Sequence, residues 1–134
     1  MIHYEDDYVQ FGKWDTPNAC FLIYKRFGTS EEFRSANQKL LAYYQQEKPG
    51  KLMVDARFMG ALDDEDQEWV SSQITPALIA ASPQNKYFSA MVTGDDVFAR
   101  LGVENIESSI EGGDNYQVGI FANPDEAKNW FGSL

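Results

Sequence analysis

The chain is poor in the two residue types that build most metal and redox sites. It contains one cysteine, Cys20, and one histidine, His3, among 134 residues. A single cysteine cannot form an internal disulfide, and Cys20 lies in an apolar run where we expect a buried, unreactive thiol. A single histidine with no partner in the sequence removes the commonest general base and most zinc sites. We therefore expect no metal ion and no cofactor.

Basic residues are also scarce. The chain has 11 Lys and Arg residues against 21 Asp and Glu residues, which gives a net charge of -10. Such a protein binds nucleic acid and anionic membrane surfaces poorly, because both are recognised by positive charge. No apolar run approaches the roughly 20 residues that span a bilayer, and residues 1–7 are acidic where a secretory signal is basic. We expect a cytoplasmic protein with no integral membrane segment.

The remaining composition is typical of a folded domain. Hydrophobic residues make up 43% of the chain and aromatic residues 14%, which is a globular composition and not a disordered one. The length lies near the commonest size of a single domain. There are no repeats, no low-complexity tract and no linker, so residues 1–134 are predicted to form one domain.

Apolar runs of strand length alternate with stretches of helical period. Strands are predicted over residues 8–14, 19–27, 51–55, 87–92 and 116–122. The first helix begins at a capping box formed by Thr29 and Glu32, the second in the acids at 63–66, the third carries Phe98, and the last is capped by Asn123. Pro76 lacks an N–H group and is expected to kink or split the second helix.

The predicted order is ββαβαβαβα. It indicates an α/β fold whose sheet is mostly parallel and five-stranded, with crossover helices and with the first strand antiparallel at an edge. The last helix is expected to face inward through Ala127, Trp130, Phe131 and Leu134. This helix therefore packs on the sheet in the prediction.

Five segments of the chain carry a family resemblance. They are Phe-Gly-Thr-Ser-Glu-Glu-Phe at 27–33, Leu-Met-Val-Asp-Ala-Arg at 52–57, Asp-Gln-Glu-Trp at 66–69, Asp-Val-Phe at 96–98 and Phe-Ala-Asn-Pro-Asp-Glu-Ala-Lys-Asn-Trp at 121–130. These strand ends and helix caps resemble the STAS/SpoIIAA-like superfamily, the fold of bacterial anti-sigma-factor antagonists. They resemble most the small bacterial stand-alone members of unknown role. The resemblance implies a SpoIIAA-like fold in a bacterial protein.

One feature of that superfamily is missing. Its sigma-regulating members carry a phosphorylatable serine in an Asp-Ser-Ser/Thr-Gly turn between the third strand and the second helix. The corresponding stretch here is Ala-Leu-Asp-Asp-Glu at 61–65, and Ser71 and Ser72 lie further into the helix. We therefore expect no phosphoserine switch.

Charged residues follow two of the predicted parallel strands. Asp55 and Arg57 end the third strand, and Asp95 and Asp96 follow the fourth. Ligands of open parallel sheets bind beyond the carboxyl ends of the strands, but Asp55 and Arg57 could equally pair with each other, and Asp95 and Asp96 could cap a helix. The candidate partner- or ligand-binding edge comprises Asp55, Arg57, Asp63, Asp64, Asp95 and Asp96, with Trp69 and Phe98.

Two other clusters have simpler interpretations. The acids between residues 63 and 68 could bind a hard cation, but their spacing is not that of an EF-hand loop, and solvated acids at a helix start explain them. Trp69 lies beside the apolar stripe of its helix and could be partly exposed. It could line a pocket or interface with the aromatic residues at 43–44 and 87–88, or all of these could belong to the core.

Three functions follow from these observations. The first is a non-catalytic binding or regulatory module that contacts a protein partner, with a homodimer as one option. The second is a carrier of a small molecule or lipid, because related SpoIIAA-like and CRAL-TRIO-like folds include apolar-ligand binders; a large apolar cavity would identify it. The third is a carboxylate-based enzyme using Asp55 or the Asp95 and Asp96 pair, which a carboxylate of raised pKa in a deep cleft would identify. We predict no catalytic residue.

Overall fold

A computed structural model describes residues 1–93 and 116–134. Six strands form one sheet, and their order across the sheet is their order along the chain. The strands are β1 (Ile2–Glu5), β2 (Val9–Trp14), β3 (Ala19–Tyr24), β4 (Lys51–Asp55), β5 (Tyr87–Val92) and β6 (Tyr116–Phe121). β1, β2 and β3 pair antiparallel, whereas β3, β4, β5 and β6 pair parallel. The fold is α/β, as predicted.

The predicted count of five strands is wrong. The strand expected at the edge is β2, and β1 lies outside it. The carboxylate of Asp6 causes this hairpin, because its Oδ1 accepts hydrogen bonds from the backbone N–H groups of Tyr8 and Val9 and turns the chain back on itself. β3 also ends at Tyr24, short of the predicted Phe27. The predicted third helix lies outside the described residues.

The helices begin where the sequence predicts. The helices are α1 (Ser30–Glu47), α2 (Asp64–Trp69), a π-helical segment (Val70–Ile74), α3 (Thr75–Ala81) and α4 (Pro124–Gly132). The capping box of Thr29 and Glu32 is confirmed, and Asn123 caps α4. Pro76 lacks the N–H of a regular helix, and the π-helical turn before it divides the second helix. No helix in the described ranges is long and apolar enough to cross a membrane.

The two faces of the sheet bury separate apolar clusters. α1 and α3 cover one face, where the buried side chains include those of Leu22, Leu40 and Leu52. α4 covers the other face with Ala127 and Phe131. The prediction for Leu134 is wrong: its side chain is 49% exposed, because α4 ends at Gly132.

Cys20 lies in the first of these clusters. It is fully buried, and burial raises the pKa of its thiol to about 12. A thiol of such a high pKa is almost wholly protonated near neutral pH, and the thiolate is the reactive form. The expected burial of Cys20 is confirmed, and the unreactive thiol stays a prediction.

Candidate functional site

The same dipeptide, Arg-Phe, follows two neighbouring parallel strands at the same distance. β3 ends at Tyr24 and is followed by Arg26-Phe27, whereas β4 ends at Asp55 and is followed by Arg57-Phe58. The two strands are paired in parallel up to the level of Asp55. Both phenylalanines therefore leave the sheet at its carboxyl edge.

Among the described phenylalanine, tyrosine and tryptophan residues, these two are the most exposed. Phe27 is 65% exposed and Phe58 is 63% exposed. The other large apolar side chains of high exposure lie at the chain termini, at Met1, Ile2 and Leu134. A soluble protein keeps exposed apolar patches small unless they contact something. We use the name aromatic edge for Phe27, Arg57 and Phe58, which follow the ends of the adjacent strands β3 and β4.

Gly60 lies in contact with the ring of Phe27. Its φ is +79°, a left-handed conformation that favours glycine. The ring of Phe27 lies so close to its Cα that a β-carbon at position 60 would collide with the ring. The loop after β4 therefore needs glycine here for both its backbone and its contact with Phe27.

Asp55 and Arg57 pair with each other, which is one of the two interpretations that the sequence left open. Nε of Arg57 lies 2.9 Å from Oδ1 of Asp55, and Nη2 lies 2.7 Å from Oδ2. The Asp55 side chain is 2% exposed and that of Arg57 is 37% exposed. The hydrogen bonds that Arg57 donates to Asp55 raise the pKa of Arg57. Both oxygens of Asp55 are thus committed to holding Arg57 in place.

Asp63 and Asp64 begin α2 in the way that the sequence predicts. Asp63 is the N-cap, and its Oδ1 accepts a hydrogen bond of 2.7 Å from the backbone N–H of Asp66. Asp64 is the first residue of the helix and is exposed. Within residues 1–93 and 116–134, no group of three acidic, histidine or cysteine side chains is arranged to hold a metal ion.

The interpretation of the acids between residues 63 and 68 as solvated is wrong for Asp66, which is 3% exposed. Its Oδ1 accepts hydrogen bonds of 2.6 Å from Oγ of Ser30 and 2.9 Å from Nε of Arg34. These bonds join α2 to α1. The spacing contained the necessary signal, since Asp66 lies four residues before Val70 and thus continues the buried stripe of the second helix.

Trp69 packs on α1. Its ring meets that of Phe33 edge to face at 6.2 Å, and the guanidinium of Arg34 lies 5.2 Å from its centre. Trp69 is half-buried in this arrangement. Asp95, Asp96 and Phe98, the other members of the predicted edge, lie outside the described residues.

A cavity of about 60 Å³ lies between the sheet and the helices of the first face. Tyr24, Asn37 and Tyr87 contribute to its walls. Tyr44 and Tyr87, which the sequence left open as pocket or core residues, are buried in the core.

Comparison of the chain with protein-family models, curated proteins and solved structures found no match. The resemblance to the STAS/SpoIIAA-like superfamily therefore stays a prediction from the sequence.

Proposed function

We propose that this protein is a non-catalytic binding module that docks a protein partner on the aromatic edge. The observation that carries the proposal is the pair of phenylalanines, 65% and 63% exposed, at the ends of two adjacent strands. Aromatic and arginine side chains supply most of the energy at protein interfaces, and charged lysines and acids are depleted at their centres. Phe27, Arg57 and Phe58 have this composition.

Arg57 suits an interface because its position is fixed before binding. Asp55 occupies Nε and one N–H of Nη2, and a guanidinium has five N–H groups in total. The remaining donors can contact a partner without the entropy cost of ordering a free arginine. The guanidinium carbon also lies 6.0 Å from the centre of the Phe58 ring, which keeps the charged and aromatic parts together.

The charge of the chain favours a basic or mixed-charge partner. The net charge is -10, and the exposed acids Asp63, Asp64 and Glu65 begin the helix after the β4 loop. Two copies of so acidic a chain repel each other, whereas a basic surface is attracted. A different protein is therefore a better occupant than a second copy.

The proposed docking needs no phosphoserine. Asp63 occupies the stretch where the sigma-regulating proteins carry their serine, and its carboxylate already fills the cap of α2. A phosphate here would meet several carboxylates and would be repelled. The proposed module is accordingly a constitutive binder, with its surface formed permanently by the fold.

The experiment is a quantitative capture from the native host with three proteins: the wild type, Phe58→Ser and the control Leu134→Ser. Both substitutions remove a half-exposed apolar side chain, and only one lies on the aromatic edge. The partner identified by mass spectrometry is then purified and titrated against each protein. We expect Phe58→Ser to weaken binding roughly tenfold or more, as at an interface hot spot, while Leu134→Ser binds as the wild type does.

Two results would overturn the proposal. One is a partner whose affinity is unchanged by Phe58→Ser when the variant melts like the wild type. The other is a homodimer, measured by light scattering, that Phe58→Ser dissociates, because the occupant of the edge would then be a second copy.

A further inference from the structure

A pocket of about 220 Å³ opens beside the aromatic edge, between the start of α1 and the start of α2. Its walls combine aromatic rings with carboxylates, and the described lining residues include no lysine, arginine or histidine. The lining residues that matter here are Tyr8, Phe27, Phe33, Met59, Asp63 and Asp66. This combination distinguishes the pocket from the small, mainly apolar cavity under α1.

The carboxylate of Asp66 has unused hydrogen-bonding capacity. Its side chain is 5% exposed, and both of its short bonds, from Ser30 and Arg34, end on Oδ1. Within the described part of the chain, no hydrogen bond to Oδ2 is formed. An ionised carboxylate can accept about four hydrogen bonds. A donor entering the pocket would therefore find an available acceptor on a residue of its wall.

The aromatic rings of the pocket can also attract a cation. Aromatic faces attract cations that lie within about 6 Å of the ring centre. Tyr8 already has the guanidinium of Arg26 against its ring, 5.1 Å from the centre, so the rings offered to a further cation are those of Phe27 and Phe33. Phe27 is exposed and Phe33 is buried, so the rings extend from the mouth of the pocket to its wall.

The volume and the charge of the pocket indicate what kind of ligand it can hold. Pockets for drug-sized ligands measure about 300–1,000 Å³, and this pocket is smaller. It has the volume for one side chain. Asp66 is ion-paired with Arg34, so Asp63 supplies the net negative charge of the pocket wall and Asp66 supplies an acceptor oxygen. A lysine or arginine would place its alkyl stem against Met59 and the rings and its charge near Asp63.

We propose that this pocket binds the side chain of a lysine or arginine. That this side chain belongs to the docked partner rests on the proposed function. The pocket itself can be tested without that partner. The pocket would give the docking surface its specificity, because a partner can place a basic side chain in the pocket only in one position on the surface.

The test uses the full chain and four small probes: n-butylguanidinium, n-butylammonium, n-butanol and butyrate, at equal ionic strength. Amide chemical shifts are followed by two-dimensional NMR, and those of Gly28, Ala61 and Leu62 report on the pocket wall. We expect saturable shifts at these amides with the two cations. We expect none with butyrate and weaker, non-saturating shifts with butanol.

A matched pair of variants separates the pocket from general electrostatics. Asp63→Ser removes one carboxylate from the pocket and keeps a good N-cap. Asp64→Ser removes the same charge from the adjacent residue, which does not line the pocket. We expect Asp63→Ser to weaken cation binding roughly threefold, the scale of one exposed ion pair, and Asp64→Ser to leave it nearly unchanged.

Three outcomes would overturn the inference: no saturation with either cation, equal binding of butanol, or equal weakening by the two variants. None of these depends on Phe58, which does not line the pocket. If Phe58→Ser weakens partner binding but the cations do not bind, only the pocket assignment is wrong. If the cations bind but Phe58→Ser leaves partner binding unchanged, only the proposed function is wrong.

Discussion

Arg57 holds Asp55 through two hydrogen bonds, and the two partners lie in opposite environments. Asp55 is buried at the end of β4 with a side-chain exposure of 2%, whereas the side chain of Arg57 is 37% exposed. The backbone N–H of Arg57 also donates to Oδ1 of Asp55, at 3.2 Å. This short pair therefore fixes both the end of the strand and the arginine that it presents at the aromatic edge.

The difference in burial predicts that the two partners are unequally costly to remove. Arg57→Met leaves a buried carboxylate without its cation, and we expect the free energy of unfolding to fall by about 3 kcal/mol. Asp55→Asn leaves a guanidinium that water can reach, so we expect a loss of about 1 to 2 kcal/mol. Urea unfolding of both variants measures the difference. Equal losses, or a larger loss for Asp55→Asn, would contradict the burial argument.

A second prediction concerns acid stability and depends on Glu32. The hydrogen bond from Arg26, 2.6 Å long, and then that from the backbone N–H of Thr29 lower the pKa of Glu32 to about 2, from an ordinary value of 4.5. A carboxyl group with a lowered pKa in the folded state stabilises the fold above its unfolded pKa. That contribution is lost as the pH falls from about 4.5 toward 2.

Glu32→Gln tests this contribution because glutamine retains the capping box and loses the charge. We expect the variant to melt below the wild type at neutral pH, and the gap to narrow as the pH falls through that window. Thermal unfolding followed by circular dichroism at several pH values gives the comparison. A gap that stays constant down to the lowest pH would mean that the ionisation of Glu32 is not coupled to folding.

The local parts of the fold could be predicted because their causes lie within a few residues. Thr29 and Glu32 satisfy each other's backbone N–H groups, Asp63 does the same for α2, and Pro76 has no N–H to offer. The spacing of such residues in the sequence contains the whole interaction. The starts of α1, α2 and α4 and the interruption of the second helix are accordingly predicted correctly.

The parts that failed depend on contacts between distant residues. β1 is short, and its place at the sheet edge follows from pairing with β2 after a turn that Asp6 organises. The exposure of Phe27 and Phe58 follows from where β3 and β4 end, and a phenylalanine in a sequence looks the same in a core as on a surface. The repeated Arg-Phe dipeptide was the available clue, since an arginine beside each ring favours a position near water.

The last prediction compares two apolar residues that the sequence places on one inward face, Phe131 in α4 and Leu134 after the end of α4. Phe131 is fully buried in the cluster on the second face of the sheet, and its ring lies 5.4 Å from that of Trp130. We expect Phe131→Ala to lower the free energy of unfolding by about 3–5 kcal/mol, because it removes a large side chain and leaves a cavity. Leu134 is 49% exposed beyond the end of the helix, so Leu134→Ala is expected to change that free energy by less than about 0.5 kcal/mol. Urea unfolding of both variants, fitted with a common m-value, measures the two losses. Similar small losses would mean that α4 does not need its buried aromatic residue to stay docked on the sheet.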